Sequence, residues 1–494
     1  MPPRPLAQAP ALSGLAVDPH LMVTGVTLDS RRVRPGDVYA ALPGSLTHGA
    51  RFAEQARQAG AAVVLTDTAG AAICQAADCP IPVITVADPR GILGALSAWV
   101  YDDPGEQLLT VGITGTNGKT TMTRLVAAAL RAAGHRTGTI GTIGIQVGDR
   151  ELPSARTTPE APDVHAVLGV MRQESVTAVV MEVSSHALVL GRVDGLVFDV
   201  AAFTNLSQDH LDFHGTLAEY FAAKASLFQP DRSGRAVVCV DDEWGQLLAG
   251  QSGVPVVTYG VDAADADWQL VDVTVTGTGR WSGRAVGPLG RSVAVTSPLP
   301  GRYNQANVLG SLVIAIDLGV TPEVAADGLA DCPGVPGRME PVAGAGFAAF
   351  VDYAHTPDAV ARAIGAVREF TSGKVLVALG CGGDRDPGKR WSMGRLAAEG
   401  ADVVVVTDDN PRSEDPAMIR QTVLAGVRDA ASAAAAEIAD RRLAIRTLVN
   451  QAEDGDCVLI LGKGHEQGQE IAGVVTPFDD RVELRAAIAE RTRT

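Results

Sequence analysis

The chain has no CxxC pair: its six cysteines, Cys74, Cys79, Cys239, Cys332, Cys381 and Cys457, are scattered singly. That spacing supports neither a zinc site nor a disulfide frame and reads as reduced thiols in a cytoplasm. Nor is there an excess of positive charge. Against 41 Lys and Arg stand 57 Asp and Glu, a formal net charge of −16. Nonspecific binding to nucleic acid or to an anionic membrane is therefore disfavoured, and any anionic ligand must be held by local groups. Apolar runs near the ~18 residues that span a bilayer are missing as well. The opening stretch, MPPRPLAQAPALSGLAVDPH, is interrupted by prolines and Gln8 before the apolar core of a signal peptide could form, so no membrane insertion is expected. What remains is 46% hydrophobic and 20% charged over 494 residues, a globular balance in a chain sized for about three domains.

The most informative stretch runs from Leu108 to Ala133. A β-branched apolar run containing Val111 and Ile113 stops in Thr114-Gly115-Thr116-Asn117-Gly118-Lys119-Thr120-Thr121. Met122, Leu125, Val126, Ala129 and Leu130 then recur at helical spacing. Strand, glycine loop, Lys-Thr and helix together hold a polyphosphate. Glycines let backbone N–H groups approach phosphate oxygens, and the helix start adds unpaired N–H groups and a positive dipole end. Lys119 would reach the outer phosphates and Thr120 would sit on Mg2+. The usual spacing asks for a glycine where Ile113 stands; the strand and helix on either side still make this a nucleotide site.

The organisation reads as α/β in three domains. Residues 1–105 form a small α/β domain, with strands in GVTLDSRRVRPGDVYAAL, AAVVL and PVITV, a helix in RFAEQARQAG, and a polar break at Tyr101 to Gly105. Residues 106–334 form a central P-loop ATPase domain with a parallel sheet and an extra β-rich part, strands and hairpins, between Val237 and Val295. Residues 335–494 alternate buried-type strands with polar loops, the pattern of a Rossmann-like, doubly wound sheet whose ligands gather at the carboxyl ends of its strands. Those ends carry Arg385, Lys389, Arg390, Asn410, Arg412, Lys463, His465 and Glu466. The Ala-rich segment around Ala430 to Ala439 reads as one of the intervening helices.

Three further residues could carry chemistry. Glu182 ends an apolar strand of the nucleotide domain, where phosphoryl-transfer enzymes place a carboxylate for magnesium. His210, among Asp209, Asp212 and His214, reads on its own as a hydrogen-bonded structural residue; the oxygen-rich surroundings suit magnesium rather than zinc. Lys224 falls on an amphipathic helix with Tyr220, Phe221, Leu227 and Phe228. It is either a snorkelling lysine or an amine whose lowered pKa lets it add carbon dioxide to form a carbamate.

Taken together, TGTNGKTT, TTPEAPD, MEVSSHAL, FTNLSQDHLDFHGT, YFAAKASLF, GRYNQAN, DYAHTPDA, GCGGDRDPGKR, TDDNPR and GKGHE resemble, in order, the Mur ligase family of ATP-dependent, amide-bond-forming enzymes of peptidoglycan synthesis. LDSR…PGD near the start and DNPR and GKGHE near the end look like the branch that adds the third residue. The resemblance implies that Leu28, Ser30, Ser45, Leu46 and Thr47 hold a uridine end, and that Gly115, Thr116, Asn117, Gly118, Lys119, Thr120 and Thr121 hold the ATP phosphates. Thr157, Thr158, Ser184 and Arg192 would contact the muramoyl-peptide. Thr120, Glu182, His210 and a carbamylated Lys224 would hold Mg2+, with Lys119, Lys224 and His210 counted as catalytic. Asn304, Arg338 and Asp352 would lie near the nucleotide, and Arg390, Asp409, Asn410, Pro411, Arg412, Gly462 and Glu466 would bind the incoming amino acid. Arg156 stands where some members have asparagine.

The reaction so implied joins a diamino acid to UDP-N-acetylmuramoyl-L-alanyl-D-glutamate through an acyl phosphate, in a monomeric cytoplasmic enzyme that uses ATP and Mg2+. Diaminopimelate is the expected diamino acid, because Arg412 and Arg390 offer planar partners for its second carboxylate. Were Arg412 paired with Glu414 or Asp415, the pocket would stay open to L-lysine or L-ornithine. A folate-type polyglutamate ligase would lack the uridine-binding first hundred residues, and a non-catalytic nucleotide-binding protein would not need TDDNPR and GKGHE.

Overall fold

A computed structural model describes residues 2–343 and 346–493. Its strands are built from the runs richest in Val, Ile, Ala and Leu, and they gather into sheets of four, eleven and six strands with two short two-stranded ribbons. The four-stranded sheet is parallel throughout, in the order Gly25–Thr27, Asp37–Ala40, Val63–Thr66, Val83–Thr85.

The eleven-stranded sheet has Leu109–Thr114 near its middle, between the parallel strands Ala178–Glu182 and Phe198–Phe203. Both faces are covered, which is why these strands are apolar throughout instead of alternating. On one face Val111, Ile113 and Val180 pack with Met122, Leu125, Val126 and Leu130 of the Lys119–Ala132 helix and with the Arg302–Asp317 helix. Each of those four helix side chains is fully buried, worth roughly 1.5–3 kcal/mol apiece. On the other face Val179 and Met181 pack with Val164 and Leu168 of the Ala161–Gln173 helix and with Tyr220 and Phe221. The β-rich part adds Trp268–Val275, Trp281–Val286 and Ser292–Ser297 to the far edge, the last two antiparallel.

The six-stranded sheet runs Glu340–Pro341, Ala348–Asp352, Cys457–Leu461, Val375–Leu379, Val403–Val406, Ala434–Glu437, parallel except for the first strand. Two sequence expectations are corrected. The Ala-rich segment is not a helix: the Pro416–Ala430 helix stops at a left-handed Ala431 (φ +52°), and Ala434–Glu437 pairs as an edge strand beside Val403–Val406. Alanine favours a helix, but the open edge of Val403–Val406 offers a row of backbone partners that outweighs this preference. Between Val237 and Val295 there is also a helix, Glu243–Gln251, capped by the Asp242 carboxylate on the Gly245 N–H at 2.7 Å.

Beneath the carboxyl ends of the six-stranded sheet lies a fully buried ion pair. Arg441 donates through Nε and Nη2 to both carboxylate oxygens of Asp480 at 2.7 Å, and through Nη2 to the Leu461 carbonyl at 2.8 Å. It ties the Arg441–Gln451 and Asp480–Arg493 helices to the end of the Cys457–Leu461 strand. Asp480→Ala would leave the guanidinium buried and unpaired, a loss of about 3–5 kcal/mol. The expected readout is faster amide exchange in Cys457–Leu461 and a lower urea midpoint for this sheet.

Candidate active site

Thr114 ends the Leu109–Thr114 strand, and the chain turns through Gly115 (φ +143°) and Gly118 (φ +90°) into the Lys119–Ala132 helix. Neither glycine is replaceable by default. A Cβ on Gly115 would stand 1.8 Å from Thr204 Oγ1, and one on Gly118 would stand 2.5 Å from Asn307 Oδ1. The segment after Phe198–Phe203 laces the loop in place. Thr204 Oγ1 and Asn205 Nδ2 donate to the Asn117 carbonyl at 2.6 and 3.1 Å, the Asn117 N–H donates to Asn205 Oδ1 at 3.0 Å, and the Thr116 N–H donates to the Asn205 carbonyl at 2.9 Å. No side chain caps the helix, so its first-turn N–H groups are left for an anion. Lys119 Nζ donates back to the carbonyls of Gly115 and Thr116, both at 2.9 Å, and desolvation lowers its pKa.

Lys224 is not a snorkelling residue. It is 1% exposed, its Nζ donates to the same Gly115 carbonyl at 2.8 Å, and it lies over the Tyr220 ring at 4.5 Å. Burial first, and then the Lys119 charge, hold its pKa well below the ordinary lysine value. His210 meets the Tyr220 ring edge-on, its ring centroid 6.1 Å away, with Nε2 at 3.5 Å from the Asp209 carboxylate. Its outer edge is exposed, yet desolvation lowers its pKa to about 4, which keeps the imidazole neutral. Glu182 is buried at the end of the neighbouring strand. It accepts from Thr120 Oγ1 at 3.0 Å, from Thr142 Oγ1 at 3.1 Å and from the Thr142 N–H at 2.8 Å. Among the described residues, no three His, Cys, Asp or Glu side chains cluster into a metal cage; the oxygens present, Thr120 and Glu182, are of the hard kind that suits magnesium.

Across the loop, Thr121, Asn117, Gly118, Asn304, Arg338 and Asp352 line one cleft between the eleven- and six-stranded sheets. Arg338 stacks on Tyr353 at 4.5 Å and points Nη2 toward Thr120 Oγ1 at 3.5 Å, while its buried Nε has no hydrogen-bond partner. The cradle at Gly115 and Gly118, the uncapped helix and this orphan guanidinium N–H fit a nucleoside triphosphate.

Beside Glu182, Thr157 Oγ1 meets Thr142 Oγ1 at 2.9 Å, Thr158 Oγ1 donates to the Glu182 carbonyl at 2.8 Å, and Ser184 Oγ caps its own helix on the Ala187 N–H at 3.2 Å. Arg192 Nη1 donates to the Thr158 carbonyl at 3.4 Å, and its Nε pairs with Glu160 at 3.0 Å. Glu160 is shared with Arg156 at 2.8 Å and Arg90 at 3.2 Å. Three guanidiniums on one carboxylate leave surplus positive charge there. This cluster borders a cavity of about 580 Å³ that Leu28, Ser30 and Thr47 also line. Ser45 and Leu46 do not line it; Leu46 is 98% exposed at the loop tip.

The amino-acid residues expected from the sequence do come together. Asp409 to Arg412 follow Val403–Val406, and Gly462 (φ +117°) and Glu466 follow Cys457–Leu461. Asn410 Nδ2 donates to Glu466 at 2.7 Å, and the fully buried Lys463 donates to Asn410 Oδ1 at 2.8 Å. The Pro411 carbonyl accepts from the Glu414 N–H at 3.0 Å. The feared pairing of Arg412 with Glu414 or Asp415 is not formed. Glu414 is taken bidentately by Arg390 at 2.8 and 2.9 Å, Asp415 caps the following helix, and Arg412 pairs with Glu470 at 3.5 Å. Sequence reasoning missed Thr142, Thr204, Asn205, Asn307, Tyr353 and Glu470. The motifs FTNLS, GRYNQAN and DYAHTPD contain four of these, but nothing in the spacing said which side chains turn toward the loop.

Comparison with known proteins gives three family matches: "Mur ligase family, catalytic domain" over residues 22–101, "Mur ligase middle domain" over 113–315, and "Mur ligase, glutamate ligase domain" over 337–464. A relative from Streptomyces avermitilis named UDP-N-acetylmuramoyl-L-alanyl-D-glutamate--2,6-diaminopimelate ligase is 51% identical, over 98% of this chain and 96% of its own. One from Leifsonia xyli named UDP-N-acetylmuramyl-tripeptide synthetase is 44% identical, over 99% of this chain and 96% of its own. A solved structure titled as a UDP-N-acetylmuramoyl-L-alanyl-D-glutamate--2,6-diaminopimelate ligase superposes with a TM-score of 0.70 at 34% identity, covering 97% of this chain and 98% of that one.

Because its Cβ would overlap Thr204, Gly115→Ala is expected to displace the loop. ATP affinity, measured by calorimetry or by KM, should fall at least tenfold while the folded state survives.

Proposed function

The chain belongs to the Mur ligase family, and on that premise we propose that it joins meso-2,6-diaminopimelate to the D-glutamate of UDP-N-acetylmuramoyl-L-alanyl-D-glutamate, forming ADP and phosphate in peptidoglycan synthesis. The observation that carries this reading is the phosphate loop sharing one cleft with Arg338, Asp352 and Tyr353 of the C-terminal segment, whose six-stranded sheet also bears the arginine loop at the end of a neighbouring strand. We take the three large sheets as the cores of segments 1–105, 106–334 and 335–494.

A carboxylate is a poor electrophile, because attack on it must expel oxide and its charge repels the amine. Transfer of the ATP γ-phosphoryl group to one carboxylate oxygen gives an acyl phosphate, which the amine attacks with phosphate as leaving group. Lys119 and the first-turn N–H groups of its helix would neutralise charge spreading over the transferred phosphoryl. For that, Lys119 exchanges the Gly115 and Thr116 carbonyls for phosphate oxygens. Asn304, Arg338 and Asp352 would hold the nucleoside side of the cleft, and Thr157, Thr158, Ser184 and Arg192 the muramoyl-peptide. The surplus charge of Arg90, Arg156 and Arg192 suits an acidic substrate, and Leu28, Ser30 and Thr47 the uridine. Asp409 to Arg412, Gly462 and Glu466 would seat the amino acid, with Arg390 acting by bracing this loop through Glu414.

Thr120, Glu182 and His210 would hold Mg2+, whose charge would offset that of the phosphates during transfer. Lys224 completes the set if its neutral amine adds carbon dioxide: Nζ bonds to the carbon, one N–H proton leaves, and a carbamate anion replaces the ammonium beside Lys119. The lowered pKa of Lys224 supports this, since only the free amine reacts. The six cysteines stand apart from one another without a disulfide, and no helix among the described residues is long and apolar enough to cross a membrane; we place the enzyme in the cytoplasm.

Lys119→Ala is expected to lower phosphate release, with all three substrates present, by two orders of magnitude or more; full-speed turnover would sink the scheme. On the unmodified enzyme, diaminopimelate should be used far better than L-lysine or L-ornithine, and the reverse order would reassign the amino acid. Lys224→Arg keeps a cation but cannot be carbamylated. It should abolish turnover while leaving binding of the uridine substrate within severalfold.

A further inference from the structure

Arg412 is held against a carboxylate that no step above uses. It sits in the left-handed region (φ +51°), and the hairpin of Gly468–Ile471 and Val474–Pro477 fastens onto it: the Arg412 N–H donates to the Glu470 carbonyl at 3.1 Å and the Ala472 N–H donates to the Arg412 carbonyl at 2.7 Å. The Glu470 N–H donates in turn to Asn410 Oδ1 at 3.0 Å, and Gln469 Nε2 donates to the Asp409 carbonyl at 2.8 Å. Four hydrogen bonds between hairpin and loop therefore fix where Glu470 stands relative to Arg412. Their side chains meet at Nε–Oε2 3.5 Å, and both reach solvent, 23% and 39% exposed. A pair so open and so loose adds little to stability. It is accessible to a ligand.

The other carboxylates nearby already have partners within the protein. Glu414 is gripped by Arg390, Asp384 accepts from Ser413 Oγ at 2.6 Å, and Glu466 accepts from Asn410 and Lys463. Arg412 itself makes one close side-chain hydrogen bond, Nη1 to the Gly383 carbonyl at 2.6 Å. Among the described residues, Arg412 and Glu470 thus form a dipolar couple, one cation and one anion side by side at the mouth of the amino-acid loop.

The geometry points to Glu470 as a specificity residue: it receives the distal ammonium of a diamino diacid while Arg412 receives the distal carboxylate. The inference rests on the amino-acid assignment made above and deepens it. Once one amine of meso-diaminopimelate has been committed to amide formation, the far end of the molecule is still a complete amino-acid zwitterion. A guanidinium alone would take any carboxylate. A guanidinium beside a carboxylate takes an end that carries both charges, each substrate group replacing part of the partner that Arg412 or Glu470 gives up. L-Lysine offers the ammonium without the carboxylate, and 2-aminopimelate the carboxylate without the ammonium.

The test compares steady-state kinetics of the full-length enzyme and Glu470→Gln with meso-diaminopimelate and with L-2-aminopimelate. For the unmodified enzyme the first should be clearly preferred. In Glu470→Gln the KM for diaminopimelate should rise about tenfold, the effect of losing one charged hydrogen bond. Its kcat, the KM for ATP and the KM for 2-aminopimelate should stay within about twofold, so that the preference collapses; a merely structural role would shift all four together. An unchanged preference, or a lower KM for diaminopimelate because Glu470 only competes for Arg412, overturns the inference. Failure of the unmodified enzyme to use diaminopimelate at all would overturn the amino-acid assignment and this inference with it, and is seen before any variant is made.

Discussion

One carbonyl oxygen organises the centre of this molecule. Gly115 O accepts from Lys119 and from Lys224 at once, bringing two ammonium groups that repel each other to a single acceptor. The arrangement holds because everything around it is fixed. Gly115 can adopt its left-handed φ only for want of a side chain, Thr204 fills the space a Cβ would need, and the buried Lys224 is steadied over Tyr220. Burial in a dry site, joined by the like charge of Lys119, favours the neutral amine, and it holds the pKa of the enclosed Lys224 well below the ordinary lysine value. A helix start left open for an anion and a lysine held toward its free amine are thus two outcomes of one constraint.

The same economy extends outward. Lys119, Thr120 and Thr121 open a helix whose inner face is pinned in the apolar core, so the phosphate end cannot drift from the sheet. Glu182, at the end of the adjacent strand, meets Thr120 from the side. Arg338, two residues before the first strand of the six-stranded sheet, reaches the same hydroxyl. Three parts of the chain, more than sixty residues apart from one another, therefore converge on Thr120, and the site is as much a product of sheet order as of the loop's own sequence.

Much of this was legible in the sequence. The apolar run, the glycines and the helical spacing after Lys119 placed the loop between its strand and its helix, and the strand–loop alternation after residue 335 foretold a parallel sheet with polar residues at its carboxyl ends. Periodicity failed where a partner lies far along the chain. Lys224 looks amphipathic by spacing, yet its acceptor is 109 residues away and the helix buries it. Glu470 lies close to GKGHE, but its pairing with Arg412 depends on a hairpin register that local pattern does not encode. The Ala434–Glu437 error has another origin, since intrinsic preference there yields to the pairing offered by a neighbouring edge.

That edge strand has a consequence for how the chain can vary. The side chains proposed for nucleotide and amino acid lie at or after Ala348–Asp352, Val375–Leu379, Val403–Val406 and Cys457–Leu461, whereas none is proposed on Ala434–Glu437, which is exposed along its length. Its shortness, and a terminal Glu437 anchored by Arg420 at 2.8 Å, blunt it against docking with other strands. Residues on the outer side of the 434–436 segment can therefore be exchanged at little consequence to turnover, whereas Glu437 shares Arg420 with Asp408, the residue before the arginine loop, and is held to it.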